Sequence, residues 1–331
     1  MDIKRRAPQG GHPGELSKIN HPCAQGKYET LPTNSTTDLI QPLDLEHCFS
    51  VEPPALDFVL PGLLSGTVGA LVAAGGSSKS TLAMQAGATV AGGADTLDLA
   101  AIHGEQIQSG LVAYIAAEDP HAILHRRMKD LSTRLSPEAR ELVKDNLTIY
   151  PANGLFLDIM SDRWKRWLYR IAAGHRLVIL DTLRRVHELD ENESGAMARL
   201  VGLMEGVCRE TETTILYVHH TNKSGSTTGE ASATRGSSVL TDNARLQLNM
   251  VTMTQQEAEQ CDVQDERSRK SFVRLIYSKT NYCPPYEDRW FRRGEGGILE
   301  PARLGKPKSG RQNLRTIRGG FEPKEVRDDD F

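Results

Sequence analysis

Apolar residues follow two alternating patterns along the middle of the chain. Runs that are apolar throughout are predicted β-strands, at residues 67–73, 111–117, 147–150, 177–180 and 214–218. Stretches with helical spacing are predicted helices, at residues 80–91, 119–131, 163–173 and 196–211. Asp119 and Pro120 are the predicted N-cap and first-turn residue of the second helix. Apolar strands separated by helices are typical of a parallel sheet covered on both faces. The pattern therefore predicts an α/β fold with a mostly parallel central sheet flanked by helices.

Both ends of the chain lack this pattern. Residues 1–42 are rich in Pro, Gly, Asn, Thr and Ser, and residues 304–331 are basic first and acidic last. Segments of this composition do not bury enough apolar surface to fold. We expect a disordered N-terminal arm over 1–42, a folded domain over 43–303 and a disordered C-terminal tail over 304–331.

The composition favours a soluble protein of the cytoplasm. Five scattered cysteines form no zinc pattern, so we expect free thiols in a reducing compartment. The uncharged stretch 58–78 contains Pro61 and several glycines, which favours a buried strand and loop over a membrane span. The net charge of -3 gives no general attraction to nucleic acid, but a basic groove on a neutral molecule is compatible with it.

The stretch VGALVAAGGSSKSTLAMQ (68–85) has the order of a phosphate-binding loop: strand, glycine turn, lysine, hydroxyl residue, helix. Backbone amides at such a turn surround phosphate oxygens, the lysine reaches the terminal phosphates and the hydroxyl holds Mg²⁺. We call residues 73–81 the phosphate loop. Its predicted nucleotide-binding residues are Ala73, Gly75, Gly76, Ser77, Ser78, Lys79, Ser80 and Thr81. The alternative is a glycine turn that carries a solvated lysine.

Two positions of the phosphate loop depart from the motif. Ala73 stands at the first position and Ser78 at the last, where glycine is usual. Glycine before the lysine leaves room for the phosphate and allows any backbone conformation. The Ser78 side chain either crowds the phosphate or donates a hydrogen bond to it. We rank weakened nucleotide binding above complete loss.

Polar side chains also follow three other predicted strands. Glu118 follows the second strand, Asp181 the fourth, and His219-His220 the fifth. Ligands of parallel sheets bind at the carboxyl ends of strands, where an aspartate can hold Mg²⁺ and a glutamate can polarise the attacking water. The alternatives are a helix N-cap for Asp181 and a buried or metal-bound histidine. Together with Lys79, these acids predict Mg²⁺-dependent NTP hydrolysis.

Two later segments carry basic residues. Residues 221–238 are small and polar, with Lys223 and Arg235 suited to the phosphates of single-stranded DNA. A solvated loop is the alternative. The segment EDRWFRR has three arginines around Trp290 and Phe291, which suits a phosphate or a partner, or equally a strand with one exposed face.

An ordered series of motifs resembles the RepA replicative helicases of broad-host-range IncQ-type plasmids. In chain order the motifs are GTVGALV…GGSSKS, YIAAEDP, LVILDTLRR, VHH, ATRGSSVLTDNAR, SKTNY and DRWFRR. The similarity runs over residues 53–301, and RGSSVL and DRWFRR, outside the nucleotide core, make it specific.

The resemblance implies a RecA-like P-loop NTPase in a homohexameric ring. It implies movement along single-stranded DNA with ATP and Mg²⁺, unwinding during plasmid replication, and a replication initiator and a primase as partners. It assigns Lys79 and Ser80 to the phosphates, Glu118 to catalysis and Asp181 to Mg²⁺. It makes His220 the γ-phosphate sensor and Arg245 an arginine finger in a neighbouring site, and it places Arg127 at the nucleotide.

Two departures from the family leave other functions open. The family has glycine where this chain has Ser78, and residues 1–42 are additional. One alternative is a nucleotide-gated DNA-binding or regulatory protein with weak or lost hydrolysis. Another is a RecA-like recombination or clock-type ATPase, against which RGSSVL and DRWFRR argue by resemblance.

Overall fold

The computed structural model describes residues 42–104, 106–220 and 239–304. The chain divides into two units, residues 1–55 and residues 56–331. In the first unit, helix α1 (Leu45–Ser50) follows Asp44, whose carboxylate accepts a hydrogen bond from the His47 amide at 3.1 Å. No residue of α1 is buried. All the other elements belong to the second unit.

The second unit is organised around one large sheet. The strands of this unit are β1 (Phe58–Leu60), β2 (Leu63–Leu64), β3 (Val68–Ala73), β4 (Val112–Ala116), β5 (Leu147–Pro151), β6 (Leu177–Asp181), β7 (Thr214–His220), β8 (Leu246–Thr252), β9 (Phe272–Thr280), β10 (Arg289–Arg293) and β11 (Leu299–Ala302). Strands β1 and β2 form a separate antiparallel pair. Within the described residues, the remaining nine strands form the sheet in the order β11-β10-β9-β8-β3-β7-β6-β4-β5.

The sheet has two regions. The neighbouring strands β8, β3, β7, β6, β4 and β5 pair in parallel, and we call them the parallel region. Strands β9, β10 and β11 pair antiparallel, and we call them the antiparallel extension. The carboxyl ends of the parallel strands define one edge of the sheet, the carboxyl edge, and their starts define the opposite, amino edge.

Helices cover both faces of the parallel region. They are α2 (Lys79–Val90), α3 (Leu99–His103), α4 (His121–Ser132), α5 (Pro137–Asn146), α6 (Asp162–Ala172), α7 (Ser194–Thr211) and α8 (Val239–Asn243), followed along the chain by α9 (Gln255–Gln260) and α10 (Glu266–Ser271). Alternate residues of a strand face opposite sides. Leu71 of β3 accordingly belongs to the core with Leu82 of α2, whereas Val72 belongs to the core with Leu168 of α6 and Leu200 of α7. The predicted fold class, α/β with a mostly parallel central sheet, is confirmed.

The predicted strands and helices of the middle of the chain are confirmed to within a few residues. One detail is wrong: Asp119 does not cap α4. Pro120 is extended (ψ 155°), so helical geometry starts only at His121, and Asp119 pairs with Arg127 instead. Of the helices in the described ranges, none has the length and apolar character needed to cross a membrane.

The antiparallel extension reverses direction twice. Strand β9 runs against β8, and β10 runs against β9, so β10 runs in the same direction as the parallel strands. The register agrees, since Thr252 at the end of β8 pairs with Val273, and Arg292 pairs with Phe272. Arg293, the last residue of β10, therefore lies at the carboxyl edge.

Candidate nucleotide site

The phosphate loop joins β3 to α2 at the carboxyl edge. Ala73 ends β3, and Lys79 begins α2. The Ser77 hydroxyl donates to the Ala74 carbonyl at 2.7 Å and closes the turn. A Cβ built on Gly75 or on Gly76 would meet no heavy atom within 4 Å, so the glycine backbone faces open space. The loop therefore leaves room for a ligand beside its backbone, at the N-terminus of a buried helix that favours anions.

Ser78 adopts the left-handed backbone conformation, with φ 69° and ψ 22°. This conformation costs a residue with a side chain about 1–2 kcal/mol, which explains why the motif prefers glycine here. The Arg293 Nε donates to the Ser78 hydroxyl at 2.8 Å. A hydrogen bond from a charged donor contributes about 1.5–3 kcal/mol, which is enough to offset the strain. The turn thus keeps the glycine geometry with a serine in place.

Lys79 and the two hydroxyl residues after it form the first turn of α2. The Lys79 side chain is 6% exposed. Burial lowers the pKa of Lys79, and the nearby Glu118 and Asp181 carboxylates oppose this shift. The nearby carboxylates favour the charged ammonium form of Lys79, and a charged ammonium group at a helix N-terminus can attract an anionic ligand. Ser80 is partly exposed and Thr81 is buried.

Asp181 ends β6, is 2% exposed, and is held by Tyr114. The Tyr114 hydroxyl donates to Asp181 Oδ2. Burial raises the pKa of the Asp181 carboxyl, while hydrogen bonding to Tyr114 and Ser80 and the charge of Lys79 oppose this shift. Among the described residues, no group hydrogen-bonds to the other buried oxygen, Oδ1. A buried carboxylate oxygen without a partner, on a side chain that also interacts with the Ser80 hydroxyl, fits a Mg²⁺ ligand set, because Mg²⁺ takes hard oxygen ligands.

Glu118 and His220 form a contact between the ends of two strands. Glu118 lies two residues after β4, and His220 is the last residue of β7. The His220 Nε2 lies 3.3 Å from Glu118 Oε1, and the Thr182 hydroxyl donates to the same oxygen at 3.0 Å. The His220 hydrogen bond, aided by Thr182 and Lys79, lowers the pKa of Glu118 to about 2. Glu118 is therefore ionised at neutral pH, and the contacts with His220 and Thr182 hold its carboxylate in place.

Arg127 lies on α4 and pairs with Asp119. Its two Nη atoms donate to the two carboxylate oxygens of Asp119. Asp119 also acts electrostatically on Lys79, which places this ion pair beside the nucleotide residues. The predicted contact between Arg127 and a nucleotide stays a prediction.

Arg245 lies at the other edge of the sheet. It directly precedes β8, and its amide donates to the Val68 carbonyl at the start of β3. The seven residues of β8 span about 20 Å at ~3.3 Å per residue. Arg245 therefore cannot reach its own phosphate loop, and its half-exposed side chain lies 3.7 Å from Glu205.

Two groups of predictions have different outcomes at this site. Lys79, Glu118, Asp181 and His220 come together at the carboxyl edge, as the strand-end argument predicts. Lys223 and Arg235 lie outside the described residues.

Sequence reasoning missed three residues at this edge: Tyr114, Thr182 and the role of Arg293. A tyrosine inside an apolar strand was a usable signal for the first, because a buried hydroxyl needs a partner. No sequence signal identified the role of Arg293, because its position depends on the register of two antiparallel strand pairs.

A cavity of about 380 Å³ opens beside the phosphate loop. Its walls come from the loop, from the end of β8 and from α10, and its lining includes Gly75, Ser77, Met250, Met253 and Arg269. A ligand held by the loop thus has space on this side, with both apolar and polar contacts.

A protein family and a solved structure are similar to this chain. A family model described as an AAA domain matches residues 35–226, more than half of the chain. A solved structure described as the RadB recombinase is 15% identical, with a TM-score of 0.49, over 73% of this chain and 93% of that one. A likeness at this level does not bear on what the chain does.

Proposed function

This chain belongs to the AAA domain family, and we propose that it is a ring-forming, ATP-dependent DNA helicase that moves along single-stranded DNA. The family match and the phosphate loop support a RecA-like P-loop ATPase. The observation that carries the finer proposal is the division of the site between two edges. Lys79, Glu118, Asp181 and His220 lie at one edge, and Arg245 lies at the other.

The phosphate loop binds the triphosphate in this proposal. Its backbone amides and the N-terminus of α2 surround the phosphate oxygens, and the Lys79 ammonium neutralises the terminal charge. Ser80 and Asp181 would hold Mg²⁺, which supplies further charge neutralisation at the phosphates. Tyr114 keeps the Asp181 carboxylate in a single orientation.

Glu118 orients the attacking water. Its pKa of about 2 keeps it ionised, so it accepts a hydrogen bond from water at every physiological pH. His220 shares an oxygen of Glu118 with Thr182 and ends β7, the strand between β3 and β6. In this proposal, loss of the γ-phosphate changes the contacts of Glu118 and His220. His220 directly precedes residues 221–238, which we propose contact single-stranded DNA through Lys223 and Arg235.

Arg245 completes the site of a neighbouring subunit. An arginine in trans stabilises transition-state charge only when the neighbour is docked, which ties hydrolysis to ring assembly. The position of Arg245 at the amino edge supports this role, because its own loop lies about a strand length away. We extend the proposal to a hexamer formed by residues 43–303, working with a replication initiator and a primase as in the RepA family.

The main alternative is a nucleotide-gated DNA-binding protein with little hydrolysis. The strained Ser78 favours it, because a residue with a side chain stands where the loop approaches the phosphates. The bond from Arg293 weighs against it, because the turn geometry is retained.

ATP hydrolysis measured with and without single-stranded DNA, together with molecular mass by light scattering, tests the proposal. We expect DNA to stimulate hydrolysis and the mass of a hexamer. Glu118→Gln should lower kcat by about 10²-fold or more. Arg245→Ala should lose hydrolysis as a pure protein. A one-to-one mixture with Lys79→Ala, whose Arg245 is intact, should recover part of the hydrolysis, because each defect lies in a different subunit's contribution to a site.

Two results would contradict the proposal. A strictly monomeric protein whose hydrolysis ignores DNA is incompatible with a ring helicase. Hydrolysis by Arg245→Ala at the unmodified rate would remove the role of this residue in trans.

A further inference from the structure

Arg293 contacts the phosphate loop from the antiparallel extension. Its Nε donates to the Ser78 hydroxyl at 2.8 Å, and its Nη2 donates to the Gly76 carbonyl at 3.1 Å. The rest of the guanidinium is held by the Lys270 carbonyl and by the Thr252 hydroxyl. One side chain thus joins the loop to the end of β8 and to α10.

The two loop contacts act on the backbone at adjacent places. Ser78 is left-handed, and its hydroxyl is fixed by Arg293. The planar 76–77 peptide is oriented by the bond to its carbonyl, and its other end, the Ser77 N–H, donates to the Ala74 carbonyl at 3.4 Å. Serine contributes what glycine cannot, an acceptor for the guanidinium, and alanine would provide neither that acceptor nor the freedom of glycine.

We propose that the contact between Ser78 and Arg293 stabilises the loop conformation that glycine at position 78 would adopt without it. Arg293 is a positioning residue: it holds the loop in its phosphate-binding shape through Ser78. The inference rests on the nucleotide-binding part of the proposed function and is independent of DNA, of the ring and of Arg245.

The pair differs in its consequences from simple crowding by Ser78. If the serine only crowds the phosphate, the smaller alanine improves binding and Arg293 is irrelevant to the difference. If the pair holds the loop, Ser78→Ala weakens binding and Ser78→Gly does not. Arg293 then matters far more with serine at the position than in the Ser78→Gly background.

The test is a double-mutant cycle read by affinity for a fluorescent N-methylanthraniloyl ATP. Arg293→Met should weaken affinity about tenfold in the unmodified chain, the size expected for a charged hydrogen bond. In the Ser78→Gly background the same change should weaken it less than about threefold, because the coupling is lost. Arg293→Lys should restore part of the affinity. Arg292→Met is the matched control, since Arg292 is exposed and faces Glu300, and it should leave affinity unchanged.

The proposal is contradicted if Arg293→Met lowers the affinity equally in both backgrounds, or in neither. It is also contradicted if Ser78→Ala binds the analogue more tightly than the unmodified chain does. Unfolding temperatures of all variants accompany the affinities. If Arg293→Met does not fold, the affinities of Ser78→Ala and Ser78→Gly test the proposal instead. Weaker binding by Ser78→Ala than by Ser78→Gly supports it, and the opposite order contradicts it. If the unmodified chain does not bind the analogue, the proposed function fails. The unfolding temperatures of the same variants then show whether positions 78 and 293 are coupled, which tests the contact between Ser78 and Arg293 on its own.

Discussion

The parallel region and the antiparallel extension contribute to the same edge of the sheet in different ways. The parallel region places the phosphate loop, Glu118, Asp181 and His220 at or just after neighbouring strand ends. The antiparallel extension delivers Arg293 to the loop after two reversals of direction. The first arrangement follows from the topology of any parallel sheet, whereas the second depends on the particular length and register of β9 and β10.

A second link joins the extension to the helix behind the loop. The side-chain amide of Gln85, buried in α2, both donates to the Leu299 carbonyl at 3.0 Å and accepts from the Leu299 amide at 2.8 Å. The phosphate loop is therefore held at its turn by β10 and along its helix by β11. The nucleotide site therefore depends on both regions of the sheet.

Removing the anchor of β10 should have the largest effect. Phe291 is 1% exposed and packs in the core that α2 shares. Phe291→Ala should lower the free energy of unfolding by about 3–5 kcal/mol, through lost burial and a cavity. It should also weaken ATP binding, because Arg293 is two residues away on the same strand. Urea unfolding measures the first effect, with exposed Arg292→Ala as the control. A loss below about 1 kcal/mol would show that the extension is not part of the folded core.

Breaking the link between α2 and β11 should have a somewhat smaller effect. Gln85→Met preserves the size of the side chain but leaves the buried amide and carbonyl of Leu299 without partners. We expect a loss of about 2–4 kcal/mol in the free energy of unfolding, since each unsatisfied group costs about 1–3 kcal/mol. Thr96→Ala is the control, because it removes only one hydrogen bond of Gln85. Equal effects of the two changes would contradict the assigned role of Leu299.

The smallest effect should come from acid and should be confined to the parallel region. His187 is 3% exposed, and within the described ranges neither ring nitrogen has a hydrogen-bond partner. Burial, with the charges of Arg184 and His219, lowers the pKa of His187 to about 4. The unfolded chain binds this proton near its ordinary pKa of about 6.5, so acid favours unfolding between these values.

The contribution of His187 should therefore be complete above about pH 6.5 and fall by about 2 kcal/mol between pH 7 and pH 5. Urea unfolding at several pH values measures it, and His187→Gln should remove this part of the slope. An unchanged slope in the variant would assign the acid sensitivity to other groups.

Much of the parallel region could be predicted from the sequence, and less of the site. Strands that are apolar throughout revealed the sheet, and strand-end positions brought Lys79, Glu118, Asp181 and His220 together. The domain boundaries at 42 and 303 stay predictions. The partner of Ser78 could not be predicted, because Arg293 is 215 residues away in the chain and reaches the loop only through the register of two antiparallel pairs. The prediction that Asp119 caps α4 was wrong. An Asp-Pro pair is a common helix start, but here Pro120 is extended and Asp119 forms an ion pair with Arg127.

The most direct test of the central claim is the rate of ATP hydrolysis by the unmodified chain beside Lys79→Ala. The claim is that a phosphate loop with Ser78 in place of glycine is a working nucleotide site. We predict turnover of about 1 s⁻¹ or faster, within the ordinary range of enzymes, and loss of that turnover in Lys79→Ala. A silent unmodified chain whose activity appears only on Ser78→Gly would contradict the claim and leave a nucleotide-binding protein without turnover.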